Sequence, residues 1–320
     1  MHLLRRLSIF LLALDSSSLA LNVLVYSPVF GGSHSNFMGN IADSLTEVGH
    51  NVTFLVPVAD VTRKNDIGVK LTKNVIIVDE NAQPVDDSNM DEVLKPLWTI
   101  QNRPSDFATC FEFFIEMMKT SCEEFTSNQK VFEELSKTKF DVAIAEPITV
   151  CGLGYFAALG INKTILASSV TQYEGVVRNS GEPLDMSYVP VHGAYFDEKM
   201  SIWDRYTNWG AESVMAGNLE MMFDEEMKKY RKNLGDHIAH WRDLIPAASL
   251  FFTNSNPYLD FPRPVIQKTV PIGGISVNME KIKSTKLDHE WDEILNKREH
   301  NMLISFGSMV KSTTMPENWR

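Results

Sequence analysis

Residues 21–56 read LNVLVYSPVFGGSHSNFMGNIADSLTEVGHNVTFLV. The first six residues are almost wholly apolar and β-rich, the pattern of a strand buried on both faces of a parallel sheet. A glycine-containing loop follows at 27–33. Phe37, Ile41, Leu45 and Val48 then recur at helical spacing, and Gly49 supplies a helix stop. VTFLV at 52–56 reads as the next strand. Strand, loop, helix and strand in that order open a βαβ unit, which places the chain in the α/β class.

The alternation continues outward from this unit. A strand is expected at 75–78, followed by an irregular Asp/Asn-rich stretch broken by Pro84, Pro96 and Pro104. Phe107, Phe111, Phe114, Ile115, Met118, Cys122 and Phe125 form a stripe of helical period, read as core packing. Strands at 141–145 and 164–167 flank a helix at 150–159. The result is a Rossmann-like, doubly wound parallel sheet. Residues 171–245 mix aromatics, methionines and charges, with a charged helix near 220–232, and read as a helical insertion over the ligand end of the sheet. Strands at 250–253 and 270–275 follow. Beyond a lysine-rich segment at 281–286 come a short helix at 287–295 and a last strand at 302–305. No repeat of solenoid period is present.

Composition narrows the function classes. In 320 residues, 44% are apolar and 22% charged, which excludes a disordered or collagenous chain. Lys and Arg total 30 against 41 Asp and Glu, a net charge of −11. That balance argues against nucleic acid or an anionic membrane as the main partner, because phosphate binding needs clustered cations. Cys110, Cys122 and Cys151 fit no zinc spacing and cannot all pair with one another, so neither a metal site nor a disulfide framework is expected.

The N-terminus reads as a secretory signal over 1–20. Arg5 and Arg6 precede a short apolar run at 7–14, and Ser18, Leu19 and Ala20 offer a cleavage site. No later run of ~18 apolar residues exists, so no membrane anchor is expected in this chain. The expected compartment is the secretory pathway, either the endoplasmic reticulum lumen or outside the cell. Two glycosylation sequons are then available. Asn51 opens a core strand and is expected bare, whereas Asn162 lies in a turn and is the better acceptor.

Two residues carry the chemistry. His34 follows the first strand, and Glu146 follows the strand at 141–145. Ligands of open parallel sheets bind at the carboxyl ends of strands. A histidine and a carboxylate at that edge suggest a dyad, in which the imidazole takes a proton from a hydroxyl and the carboxylate orients the ring. The competing structural reading is a surface histidine and a helix-capping glutamate. Gly31 and Gly32 lack the spacing of a nucleotide-binding fingerprint. His50, following a helix stop, and His237 and His240, on a polar helix, are expected to be solvated.

The motifs together resemble those of the UDP-glucuronosyl/UDP-glucosyltransferase family, particularly its nematode members. The resemblance runs from Val23-Leu24-Val25-Tyr26-Ser27-Pro28 and Gly32-Ser33-His34 through Gly49-His50-Asn51-Val52-Thr53, Phe140-Asp141-Val142, Glu146 and Cys151-Gly152. It continues through Ser187-Tyr188-Val189-Pro190, Phe252-Thr253-Asn254-Ser255, Asp260-Phe261-Pro262-Arg263-Pro264 and Ile272-Gly273-Gly274-Ile275 to Ser305-Phe306-Gly307-Ser308. It implies the N-terminal half of a two-domain GT-B glycosyltransferase. Residues 21–280 would form the acceptor-binding domain and 281–320 the linker and start of the UDP-sugar-binding domain. The family's catalytic base falls on His34. Its supporting carboxylate, usually Asp, falls on Glu146, one methylene longer. Ser305, Gly307 and Ser308 align with the loop that approaches the UDP diphosphate.

Acceptor contacts are expected at Gly32, Ser33, Phe37 and Tyr188, in an apolar cleft lined by Phe30, Phe37, Tyr188 and Met200. The substrates implied are a UDP-sugar, as co-substrate rather than cofactor, and a small lipophilic acceptor; no metal is implied. With the rest of the donor-binding domain missing, the chain is expected to be inactive alone. The alternative is a non-catalytic acceptor-binding or regulatory half that pairs, as a homo- or hetero-oligomer, with family members or a donor-domain partner.

Overall fold

The computed structural model describes residues 20–79, 91–92, 94–99, 111–192, 194, 196–197, 199–307 and 311–319. Among them, seven strands form one parallel sheet: β1 (Asn22–Tyr26), β2 (Asn51–Pro57), β3 (Asn74–Val78), β4 (Val142–Ala145), β5 (Thr164–Ser168), β6 (Leu250–Thr253) and β7 (Thr269–Pro271). Their order is β3-β2-β1-β4-β5-β6-β7. From β1 the chain winds outward to β2 and β3, then returns to build β4 to β7 on the other side. The winding reverses between β1 and β4, and the crevice above that point is where such sheets bind ligands.

Alternation along β1 makes the two layers. Val23 and Val25 pack with Phe54, Val56 and Ile144 against α1 (Gly32–Glu47), which supplies Phe37, Met38, Ile41 and Ala42. Leu24 and Tyr26 face the other way, into a larger core with Ala143, Ala145 and Leu166. The helices of that layer are α2 (Phe111–Ser127), α3 (Gln129–Ser136), α4 (Cys151–Ala158), α5 (Glu174–Ser180), α6 (Ile202–Leu234) and α7 (Trp241–Ala247). Period-2 side chains buried on both faces are why these strands read as continuous apolar runs.

Close approach of helix and sheet rests on two glycines of α4. A Cβ on Gly152 would lie 2.5 Å from the ring of Tyr26, and one on Gly154 would lie 2.7 Å from that of Tyr230. On the opposite layer, Asp43 of α1 is buried and accepts hydrogen bonds from the backbone N–H groups of Lys70, Leu71 and Thr72 and from the Thr72 hydroxyl. Burial alone would raise this carboxyl. The four hydrogen bonds outweigh it, and Asp43 sits below its ordinary value.

Several sequence expectations are corrected. The helix expected at 220–232 is the end of the continuous α6, which begins at a capping box between Ser201 and Asp204. Its first half hides its period because Trp203, Tyr206 and Trp209 face solvent while Asn208 and Glu212 are buried. Helix α6 ends at Leu234. His237 and His240 are therefore in a loop, and the His240 side chain caps α7 by accepting the N–H of Arg242 at 3.1 Å. His50 likewise has a partner, the N–H of Leu21 at 3.3 Å. The strand expected at 270–275 shrinks to Thr269–Pro271, ending near Gly274 with its φ of +91°. Residues 302–305 form no strand; Met302, Leu303 and Ile304 are exposed. The lysine-rich segment is partly helical, α8 (Met279–Ser284), and α9 spans His289–Asn296.

No disulfide framework was expected, yet one disulfide forms. Cys122 of α2 and Cys151 of α4 are bonded to each other in the larger core, and both are buried. Helical spacing had assigned Cys122 to the core correctly, but its partner comes from another helix, 29 residues away. Cys110, residues 1–19 of the expected leader and Ser308 lie outside the described residues. Among those described, no helix is long and apolar enough to cross a membrane.

Candidate active site

His34 is the third residue of α1, directly beyond β1, and Glu146 is the first residue beyond β4. Because β1 and β4 are parallel neighbours, both side chains stand at the same carboxyl edge, at the switch point of the sheet. The structure brings them together: His34 Nδ1 lies 2.9 Å from Glu146 Oε2. Glu146 is 2% exposed and His34 19%. A carboxylate can only accept, so the imidazole proton sits on Nδ1. Nε2 then remains a proton acceptor, with no hydrogen-bond partner among the described residues.

The second oxygen of Glu146 is also held. Oε1 accepts the backbone N–H of Ser169 at 3.0 Å and the hydroxyl of Tyr173 at 3.4 Å. Ser169 Oγ in turn lies 2.9 Å from His34 Nδ1. Phe30 packs against the imidazole face, with ring centroids 4.6 Å apart. Gly31 leaves room for that ring, since a Cβ there would come within 3.1 Å of His34 Cδ2.

His34 borders a cavity of about 350 Å³. Phe30, Gly31 and His34 form one side with Ile148 and Val170. Phe111, Phe114 and Met118 of α2 and Met215, Leu219 and Met222 of α6 form the apolar wall opposite. The charged groups at its rim are mostly paired: Arg63 with Asp60 at 3.5 Å, and Lys311 with Asp91 at 3.1 Å. Glu174 also lines it. Burial raises this carboxyl above its ordinary range, although it accepts the backbone N–H of His192 at 2.6 Å. Sites of this kind, mainly apolar with a few convergent polar groups, suit small molecules.

Of the expected cleft residues, Phe30 lines the cavity. Phe37 does not; it is 4% exposed and packs into the α1 core on the other side of the sheet. Met200 is buried, and neither it nor half-buried Tyr188 lines the cavity. Gly32 and exposed Ser33 begin α1 outside the lining. Ser305 and Gly307 are exposed, with the Gly307 N–H 3.4 Å from Ser305 Oγ. Between them, Phe306 packs edge-on to Trp98 at 4.9 Å, and Trp98 donates to the Thr314 hydroxyl at 3.1 Å. Sequence reasoning missed Ser169 and Tyr173. Ser169 follows β5 at the same carboxyl edge, which could have marked it; nothing local marks Tyr173. No three His, Cys, Asp or Glu side chains converge as metal ligands among the described residues.

A histidine–carboxylate pair stands at the switch point of a parallel α/β sheet, with the histidine lining a mainly apolar cavity. The family described as UDP-glucoronosyl and UDP-glucosyl transferase matches residues 22–318, and the chain belongs to that family. Rat UDP-glucuronosyltransferase 2A1 is 28% identical over 320 residues, covering 95% of this chain and 58% of the rat protein. A Caenorhabditis elegans protein bearing a UDP-glucuronosyltransferase name, ugt-55, is 26% identical over 303 residues, covering 94% and 57%. The chain thus spans little more than half the length of these relatives. A UDP-glucosyltransferase of Polygonum tinctorium capable of glucosylating indoxyl, solved with 3,4-dichloroaniline, is 11% identical with a TM-score of 0.41, covering 81% of this chain and 53% of that one.

Proposed function

We propose that this chain is the acceptor-binding half of an inverting UDP-glycosyltransferase, with residues 21–280 as the acceptor domain and 281–320 as the start of the donor domain. The observation that carries the reading is the 2.9 Å contact between His34 and Glu146 at the mouth of an apolar cavity. In the reaction, a lipophilic acceptor lies in the cavity with its hydroxyl against His34 Nε2. The imidazole takes the hydroxyl proton as the acceptor oxygen bonds to the anomeric carbon. The bond from that carbon to the UDP diphosphate breaks on the opposite face, UDP leaves with the electron pair, and the anomeric configuration inverts. Glu146 stabilises the imidazolium that forms. Ser305, Gly307 and Ser308 would approach the diphosphate.

Transfer requires the anomeric carbon held roughly 3 to 3.5 Å from the acceptor oxygen, a constraint worth about 7–11 kcal/mol of barrier. Tyr258, Leu259, Met302 and Leu303 are each at least 78% exposed, which supports coverage by a donor-binding half, in the same polypeptide or in a partner. The same surface would serve a non-catalytic half that pairs with family members. The disulfide supports folding in an oxidising compartment, in keeping with a cleaved leader at 1–20 and residence in the secretory pathway. Asn162 is exposed and would carry the glycan there; Asn51 is exposed too, but its side chain is tied to Asn22.

The test uses residues 21–320 with UDP-sugars and a panel of phenols and steroids, alone and with a donor-binding half added. Acceptor binding without turnover is expected alone, and turnover lost in His34→Ala is expected with the donor half. Turnover by residues 21–320 alone that His34→Ala abolishes would show a complete enzyme. No acceptor binding and no turnover in either arrangement would sink the reading.

A further inference from the structure

The mechanism above uses His34 and Glu146 and leaves the groups behind them unexplained. Glu146 is longer by one methylene than the aspartate expected at its position, and a longer side chain has one more torsion to misplace its carboxylate. Yet its carboxylate is 2% exposed and meets the imidazole at hydrogen-bond distance. Something else must hold it.

We propose that Ser169 and Tyr173 are positioning residues that hold Glu146 by its second oxygen and thereby keep the proton of His34 on Nδ1. Ser169 grips both members of the dyad. Its backbone N–H donates to Glu146 Oε1 at 3.0 Å, and its Oγ lies 2.9 Å from His34 Nδ1. The Tyr173 hydroxyl reaches the same Oε1 at 3.4 Å.

These contacts allow one consistent set of proton positions. His34 Nδ1–H donates to Glu146 Oε2, sharing its proton with Ser169 Oγ. The Tyr173 hydroxyl and the Ser169 backbone N–H donate to Glu146 Oε1. Both carboxylate oxygens are then satisfied. Burial holds the Tyr173 phenol well above its ordinary value, with the Glu146 carboxylate adding to the effect, so it remains a donor. If the proton moved to Nε2, Glu146 Oε2 would face a bare nitrogen and lose its partner. The ring of contacts therefore penalises the tautomer that could not accept a proton from an acceptor hydroxyl.

This inference rests on His34 being the base, but its test does not need sugar transfer. Nitrogen-15 spectra of His34, at a pH where the imidazole is neutral, report which nitrogen carries the proton. The wild-type protein should show the Nδ1–H form. Ser169→Ala and Tyr173→Phe should each raise the Nε2–H population about tenfold, equivalent to about 1.4 kcal/mol, and Ser169→Thr should restore the wild-type ratio. Glu146→Gln should move it further. An unchanged ratio in both Ser169→Ala and Tyr173→Phe would overturn the proposal, and so would an unchanged ratio in Glu146→Gln. A shifted tautomer in a protein that transfers no sugar would leave this inference standing and remove the transferase reading instead.

Discussion

The Oε2 atom of Glu146 lies 2.9 Å from Nδ1 of His34, across 112 residues of sequence and between adjacent parallel strands. The pair is matched in length as well as in chemistry. Glu146→Asp withdraws the carboxylate by about one C–C bond and should break the contact, even though it keeps the charge. With a donor-binding half present, Glu146→Asp, Glu146→Gln and His34→Ala should each lower kcat/KM, by about 10²- to 10⁴-fold for the histidine. Full activity in Glu146→Asp would show that charge near His34 suffices and geometry does not.

The Cys122–Cys151 bond closes a loop of 29 residues between α2 and α4. Loop-closure entropy for that length is about 3 to 4 kcal/mol. The double variant Cys122→Ala/Cys151→Ala should lose stability of this order, read as a fall in the urea midpoint at unchanged slope. Reductant should lower the wild-type midpoint and leave the double variant where it is. Equal midpoints for wild type and variant in oxidising buffer would refute a stabilising role.

Glu226 of α6 is 1% exposed, and burial pushes its carboxyl up to about 8, against hydrogen bonds from the Thr149 hydroxyl and the Val150 N–H that pull it down. Its folded value lies above its unfolded one, near 4.5. The fold therefore keeps a proton that the unfolded chain releases, and stability from this group is complete below about 4.5 and lost as pH rises through about 8. The slope between those values is up to about 1.4 kcal/mol per pH unit. Glu226→Gln, which keeps an acceptor for the Val150 N–H, should flatten that slope. Parallel stability curves for wild type and variant from pH 5 to 8 would contradict a protonated Glu226.

Gly154 faces the ring of buried Tyr230, where a Cβ would sit 2.7 Å from three ring carbons. The ring is fixed in the core, so Gly154→Ala should cost about 1–3 kcal/mol as overpacking. Adding Tyr230→Ala removes the obstruction, so the double variant should be less destabilised than the sum of the two single changes. Strict additivity in denaturant unfolding would mean that the helix shifts freely.

The βαβ opening and the strands at β1, β2, β4, β5 and β6 were legible in the sequence, because strands buried on both faces must be apolar throughout. So was the edge on which His34 and Glu146 stand, since both follow strands directly in a parallel sheet. Chain order alone could not show the rest. Phe37 was expected in the cleft, but helical phase turns it to the opposite layer. The full length of α6 was hidden because its buried positions include Asn208, Glu212 and Glu226, whose partners lie elsewhere in the chain. The partnership of Cys122 with Cys151, and the grip of Ser169 and Tyr173 on Glu146, are long-range contacts that no local period encodes. The sequence alone determined the core strands and the amphipathic helices whose period is intact, because backbone periodicity and side-chain polarity act over a few residues. The tertiary structure decided which polar groups meet, because hydrogen bonds and disulfides depend on distances set only when the layers close.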